Sequence, residues 1–147
     1  MITYLDTSAL VKAYVREVGS EEVMQLIRVA TAVGTSHLSK AEMAAAMAMA
    51  ARQKNVNVIE AKQAWQEFQA DWRTLYKIAV SEIAVDRAAS LAWEYGLRGY
   101  DVVHLATASL WQEAIGEPVT LATFDLQLWV AGEKVGLSVW PENLGKP

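Results

Sequence analysis

Four acids in this sequence stand where a strand stops or a helix starts: Asp6, Glu42, Asp101 and Asp125. Each has an ordinary structural reading. Asp6 and Asp125 suit the N-cap of the helix that follows, where a short acceptor satisfies free backbone N–H groups. Glu42 lies three residues after Ser39, so Ser-Lys-Ala-Glu matches a capping box. Asp101 falls in the first turn of an expected helix and complements its dipole. A second reading takes the four together. Asp6 and Asp125 each close an apolar run, and capping does not require that a strand lead straight to the acid. Carboxylates gathered in one place cannot all stay ionised without a cation between them. Mg2+ or Mn2+ meets that need, as a hard ion that takes oxygen ligands. The chain has no cysteine and two histidines, which argues against a thiolate zinc site. His104, one helical turn past Asp101, sits among Val103, Leu105 and Ala106 and reads as a packed core histidine rather than a base. His37 is read in the same way.

The acids can meet only if the elements bring them together. Short runs rich in Val, Ile, Leu and Thr alternate with longer helical patterns, which is the pattern of a mostly parallel sheet flanked by helices. Strands are expected at 2–5, 32–36, 78–80 and 119–123, with a closing edge strand at 137–140. Helices are expected at 8–16, at 20–30 with Ser20 as N-cap, and at 39–54, where Ala and Met dominate. A further helix over 58–76 carries Trp65, Phe68, Trp72, Leu75 and Tyr76 at spacings of three and four, one broad aromatic stripe whose main use is core packing. Helices at 85–95 and 100–115 flank a turn at 96–99, and the last helix is 126–134. Ligands of an open parallel sheet bind beyond the carboxyl ends of the strands, where the strand order reverses. Asp6 and Asp125 are expected at such ends, and Glu42 and Asp101 in helix starts that face the same crevice.

The chain has 147 residues, 53% of them hydrophobic, enough for one domain spanning 1–147 with a sizeable core. The stretches 29–39 and 102–112 are the longest without Asp, Glu, Lys or Arg, well short of the roughly 20 apolar residues that span a bilayer. With no secretion signal and no cysteine, the expectation is a cytoplasmic protein away from the membrane. A net charge of −4 excludes nucleic-acid binding by a general coat of Lys and Arg. A local patch from Lys12, Arg16, Arg52, Lys54, Arg87 and Arg98 stays open.

Four stretches, in order, resemble the PIN domain, and within it the VapC-type toxins of toxin-antitoxin pairs: YLDTSALVK, SHLSKAEM, LRGYDVVHLATA and LATFD. The resemblance covers essentially the whole chain. It implies a three-layer α/β PIN-like fold and an acidic pocket that binds Mg2+, or Mn2+, and hydrolyses RNA phosphodiester bonds. By that likeness Asp6, Glu42, Asp101 and Asp125 form the acidic quartet. Of these, Asp6 and Asp101 are the best candidates for direct ligands. Ser8 and Thr123 match polar residues that help to hold the metal or its waters. The resemblance also implies a homodimer and a cognate antitoxin whose C-terminal segment crosses the groove. The chain departs from the family pattern at Phe124, where a small or polar residue is common.

Two other classes share parts of this pattern. A metal-free RNA- or protein-binding module would keep the fold without the chemistry. A haloacid dehalogenase-type phosphatase also opens on a strand ending in Asp, but it needs a second acid two residues on, where this chain has Ser8.

Overall fold

The computed structural model describes residues 1–53 and 56–144. Its elements are β1 (Ile2–Leu5), α1 (Thr7–Lys12), α2 (Ser20–Val29), β2 (Ala32–Ser36), α3 (Leu38–Arg52), α4 (Val58–Asp71), β3 (Tyr76–Ile78), α5 (Glu82–Tyr95), α6 (Gly99–Ile115), β4 (Val119–Ala122), α7 (Leu126–Lys134) and β5 (Ser138–Trp140). The strands pair in the order β3, β2, β1, β4, β5, every neighbouring pair parallel. The chain builds outward from β1 on one side and then returns to add β4 on the other. The strand order therefore reverses between β1 and β4.

Successive strand residues point to opposite faces, and here both faces are covered. Tyr4 and Leu121 join one apolar cluster with Leu105, Ala106 and Leu128, under α5, α6 and α7. Leu5 and Ala122 join the other, with Leu10, Met43 and Phe68 under α1 to α4. Burial on both sides explains why β1 and β4 read as near-continuous apolar runs. The result is the flanked parallel sheet expected from the sequence. Among the described residues no helix is long and apolar enough to cross a membrane.

Several boundaries differ, each for a local reason. The first helix stops at Lys12, short of 16, and the Lys12 ammonium reaches forward to Glu17 and to the Val18 carbonyl, both at 2.8 Å. Ser20 does not cap α2. Its hydroxyl donates to the Val15 carbonyl and accepts from the Glu17 N–H, and Gly19 takes the cap position at φ +92°. A side chain there would be strained, and its Cβ would lie 3.0 Å from the Phe124 ring. Helix α4 ends at Asp71, so Tyr76 opens β3 instead of closing the aromatic stripe. Pairing with β2 (Gly34 to Tyr76, Ser36 to Ile78) sets β3 two residues earlier than expected. Helix α5 begins at Glu82, because Ser81 caps it. The expected end of the third helix, Lys54, lies outside the described residues. Phe68 is fully buried between Trp65 and Trp72, each with its ring centre 5.4 Å away, so the stripe is core; Trp93 on α5 is 93% exposed.

Candidate active site

The end of β1 delivers Asp6 and the turn after β4 delivers Asp125, so the two acids flank the point where strand order reverses. Both also cap helices. Asp6 Oδ1 accepts from the Ala9 N–H and Asp125 Oδ1 from the Leu128 N–H, each at 2.9 Å. The capping and site readings are therefore compatible in the same side chains. Asp101 occupies the first turn of α6, as expected. Glu42 is not part of a capping box. Helix α3 begins one residue earlier than Ser39, which places that serine inside the helix, with its hydroxyl 2.6 Å from Thr35 Oγ1. The Glu42 carboxylate is released to cross the crevice: its Oε1 accepts from Thr7 Oγ1 at 2.8 Å and lies 2.7 Å from His104 Nε2.

Ser8 and Thr123 hold Asp6. Ser8 Oγ donates to both Asp6 oxygens (2.7 and 2.9 Å), and Thr123 Oγ1 donates to Oδ2 at 2.8 Å. Each hydroxyl in turn accepts a backbone N–H from the turn after β4, Ser8 from Phe124 and Thr123 from Asp125. Two hydroxyls thus fasten the end of β1 to the end of β4, and Asp6 sits between them, 4% exposed.

Three of the acids lie close enough to the fourth for their charges to act on it. Burial raises the Asp101 carboxyl above its ordinary value, and the charges of Asp125, Asp6 and Glu42 push it further, against a smaller opposing effect of His104. Burial also raises Asp6, partly offset by His104 and by the Ala9, Ser8 and Thr123 hydrogen bonds. For Glu42 burial alone would act in the same direction, but the hydrogen bond and charge of His104, with Thr7, outweigh it and hold the carboxyl below its usual range. The donor set is chemically suited to a hard divalent cation: carboxylates and hydroxyls, with mutual repulsion that a cation would relieve. As the side chains stand, no group of three or more His, Cys, Asp or Glu among the described residues is arranged to hold one. Both Asp6 oxygens, one oxygen of Glu42 and one of Asp125 are already engaged.

A family model described as PIN domain matches residues 3–130. The chain belongs to the PIN domain family. It is 31% identical to Ribonuclease VapC45 of Mycobacterium tuberculosis (strain CDC 1551 / Oshkosh) over 144 residues, 97% of each chain. Among solved structures, FitAcB from Neisseria gonorrhoeae superposes with a TM-score of 0.65 at 17% identity, over 94% of this chain and 96% of that one. A toxin-antitoxin complex from Klebsiella pneumoniae gives 0.61 at 22% identity, over 84% and 86%. These two likenesses show the fold.

In this PIN domain the residues that sequence reasoning missed are the ones that orient Glu42. His104 is buried, as read, but it is not merely packed: its ring bridges Glu42 and the Tyr4 hydroxyl, and Tyr4 also meets Thr107. Tyr4 and His104 are 100 positions apart, a juxtaposition that no local pattern announces. Thr7, next to Asp6, carried the only local signal. His37 is exposed at the start of α3 and makes no side-chain cap bond. Of the candidate basic residues, Lys12 is committed to Glu17 and lies 4.5 Å from the centre of the Phe124 ring, and Arg87 forms a paired contact with Glu113 at 2.8 and 3.2 Å.

Proposed function

We propose that the chain, acting as a single domain over 1–147, is a Mg2+- or Mn2+-dependent endoribonuclease and the toxin of a toxin-antitoxin pair. One observation carries this reading: in a PIN domain, Ser8 and Thr123 fasten Asp6 at the end of β1 to the turn that carries Asp125, and Asp101, raised first by burial, also feels the charges of Asp125, Asp6 and Glu42. RNA phosphates are themselves negative, so a crevice of carboxylates alone repels its substrate. When bound, a divalent ion supplies the positive charge that draws in the phosphate, acidifies water and stabilises the leaving oxygen. Asp6 and Asp101 are assigned as direct ligands. Ser8 and Thr123 keep Asp6 in place and bind the ion or its waters. Among the described residues, Glu42 and Asp125 each keep one oxygen without a hydrogen bond, and these oxygens orient the attacking water or hold a second ion.

The ribonuclease name of the curated relative supports RNA as substrate. The shared fold of the Klebsiella toxin-antitoxin complex supports an antitoxin partner. A homodimer in the cytoplasm completes the proposal. The decisive experiment pairs Mn2+ titration calorimetry with RNA cleavage in Mg2+, on the wild type, Asp6→Asn and Asp101→Asn. Saturable heat and cleavage are expected from the wild type, and both should fall about 100-fold or more in variants that keep the native circular dichroism. Wild-type cleavage by Asp101→Asn would refute the assignment. A wild type that binds RNA, gives no saturable heat and cleaves nothing would instead be a metal-free binding module.

A further inference from the structure

Tyr4, His104 and Glu42 form a line from the centre of the sheet to the crevice. The Tyr4 hydroxyl, fully buried on β1, lies 2.7 Å from Thr107 Oγ1 and 2.9 Å from His104 Nδ1. Counting hydrogens sets the direction of each bond. Thr107 gives its single hydroxyl hydrogen to the backbone, to the Val103 carbonyl at 2.8 Å with the His104 carbonyl at 3.2 Å. The Tyr4 to Thr107 contact therefore uses the hydrogen of Tyr4. Tyr4 has none left, so Nδ1 of His104 donates to the phenol oxygen. On the other side of the ring, Glu42 Oε1 already accepts from Thr7, and an ionised carboxylate has no hydrogen to give, so Nε2 donates as well. The ring is pinned at both ends and is 2% exposed. Oε1 accepts from two donors, and Oε2 carries no hydrogen bond among the described residues.

Packing alone does not call for this arrangement. His104 has fully buried Leu105, Ala106 and Ala108 as neighbours on α6, where an apolar side chain would avoid the cost of burying an imidazole. We propose that His104 is a positioning residue: anchored by Tyr4, it occupies Oε1 of Glu42 and leaves Oε2 to the crevice, where RNA hydrolysis uses it. This inference rests on the nuclease reading of the site. It concerns how Glu42 is aimed, a task that the sequence pattern assigned to no residue.

The test compares steady-state RNA cleavage, melting temperature and histidine nitrogen NMR for the wild type, His104→Asn and His104→Gln. Asparagine can replace the bond to Tyr4 but falls short of Glu42, whereas the longer glutamine places an amide donor near the Nε2 position. His104→Asn should lower kcat about 10–100-fold with KM for RNA unchanged. His104→Gln should recover most of that loss, although both variants melt below the wild type. In the wild-type spectrum Nδ1 of His104 should carry a directly bound hydrogen. Equal kcat losses in the two variants, following their melting temperatures, would overturn the inference, as would an Nδ1 without hydrogen. A wild type that cleaves no RNA would overturn the nuclease reading, and this inference with it; active wild type with indistinguishable variants would overturn this inference alone.

Discussion

Asp101 is the one member of the quartet whose carboxylate makes no hydrogen bond among the described residues, and burial together with the other three charges acts on it. Its raised carboxyl has a consequence for stability. Just above the ordinary carboxylate range the folded state keeps a proton at Asp101 that the unfolded chain has released, so stability falls as pH rises through that window. Above the raised value the loss is complete. Thermal melts without divalent ions from pH 4 to 8 should show this decline at Asp101 in the wild type, and Asp101→Asn should remove that part of the slope and melt higher at neutral pH. An identical pH dependence in the two proteins would show that neither burial nor the neighbouring charges raise the Asp101 carboxyl. Tyr4 makes an opposite case, a buried group whose value lies in having both partners. Tyr4→Phe deletes one oxygen and leaves Thr107 and His104 Nδ1 without it, which should cost about 1–3 kcal/mol in urea unfolding. Burial raises the Tyr4 phenol further above its usual range, so it stays a neutral hydrogen-bonding group throughout that experiment.

At the level of elements, the close approach of α6 to the sheet depends on a missing side chain. A Cβ on Gly34 of β2 would lie 2.6 and 2.7 Å from ring atoms of Trp111 and 3.1 Å from Ile78 Cδ1. Gly34→Ala should therefore destabilise the fold by about 1–3 kcal/mol, through displacement of the Trp111 ring, and calorimetric melting would register the loss. Nothing in the sequence marks Gly34 as a contact with a tryptophan 77 positions away. By contrast, β1, β2 and α7 were legible to the residue: β1 and β2 are short runs of Ile, Leu, Val, Thr and small residues between helical patterns, and α7 follows directly from its Asp125 cap. The same logic placed Asp6 and Asp125 at the strand ends. It failed where distant partners decide. The register of β3 comes from β2 and the turn before α2 from Gly19 against Phe124, while Glu42 answers to Thr7 and His104 on two other helices. Capping chemistry was readable as a motif at Ser39, yet Thr35, four residues earlier at the end of β2, took its hydroxyl.

For the molecule as a whole, an ion that binds the folded state and not the unfolded chain must raise the melting temperature. At about 100 times its dissociation constant, Mn2+ should add about 2.7 kcal/mol to the unfolding free energy, and differential scanning fluorimetry should show no such gain for Asp6→Asn. The net charge of −4 sets a further expectation: without a general basic coat, the affinity for RNA should depend on the ion in the site more than on salt. The fastening of β1 to β4 reaches beyond stability. Asp6 and the Thr123 that holds it are 117 positions apart, and β4 is made after β1, β2 and β3. Synthesis runs from the N-terminus, so a half-made copy still threaded in the ribosome lacks Thr123, Asp125 and the strand that carries them. On the nuclease proposal, a copy in which β4 has not yet been made lacks a complete acidic site and leaves RNA uncut.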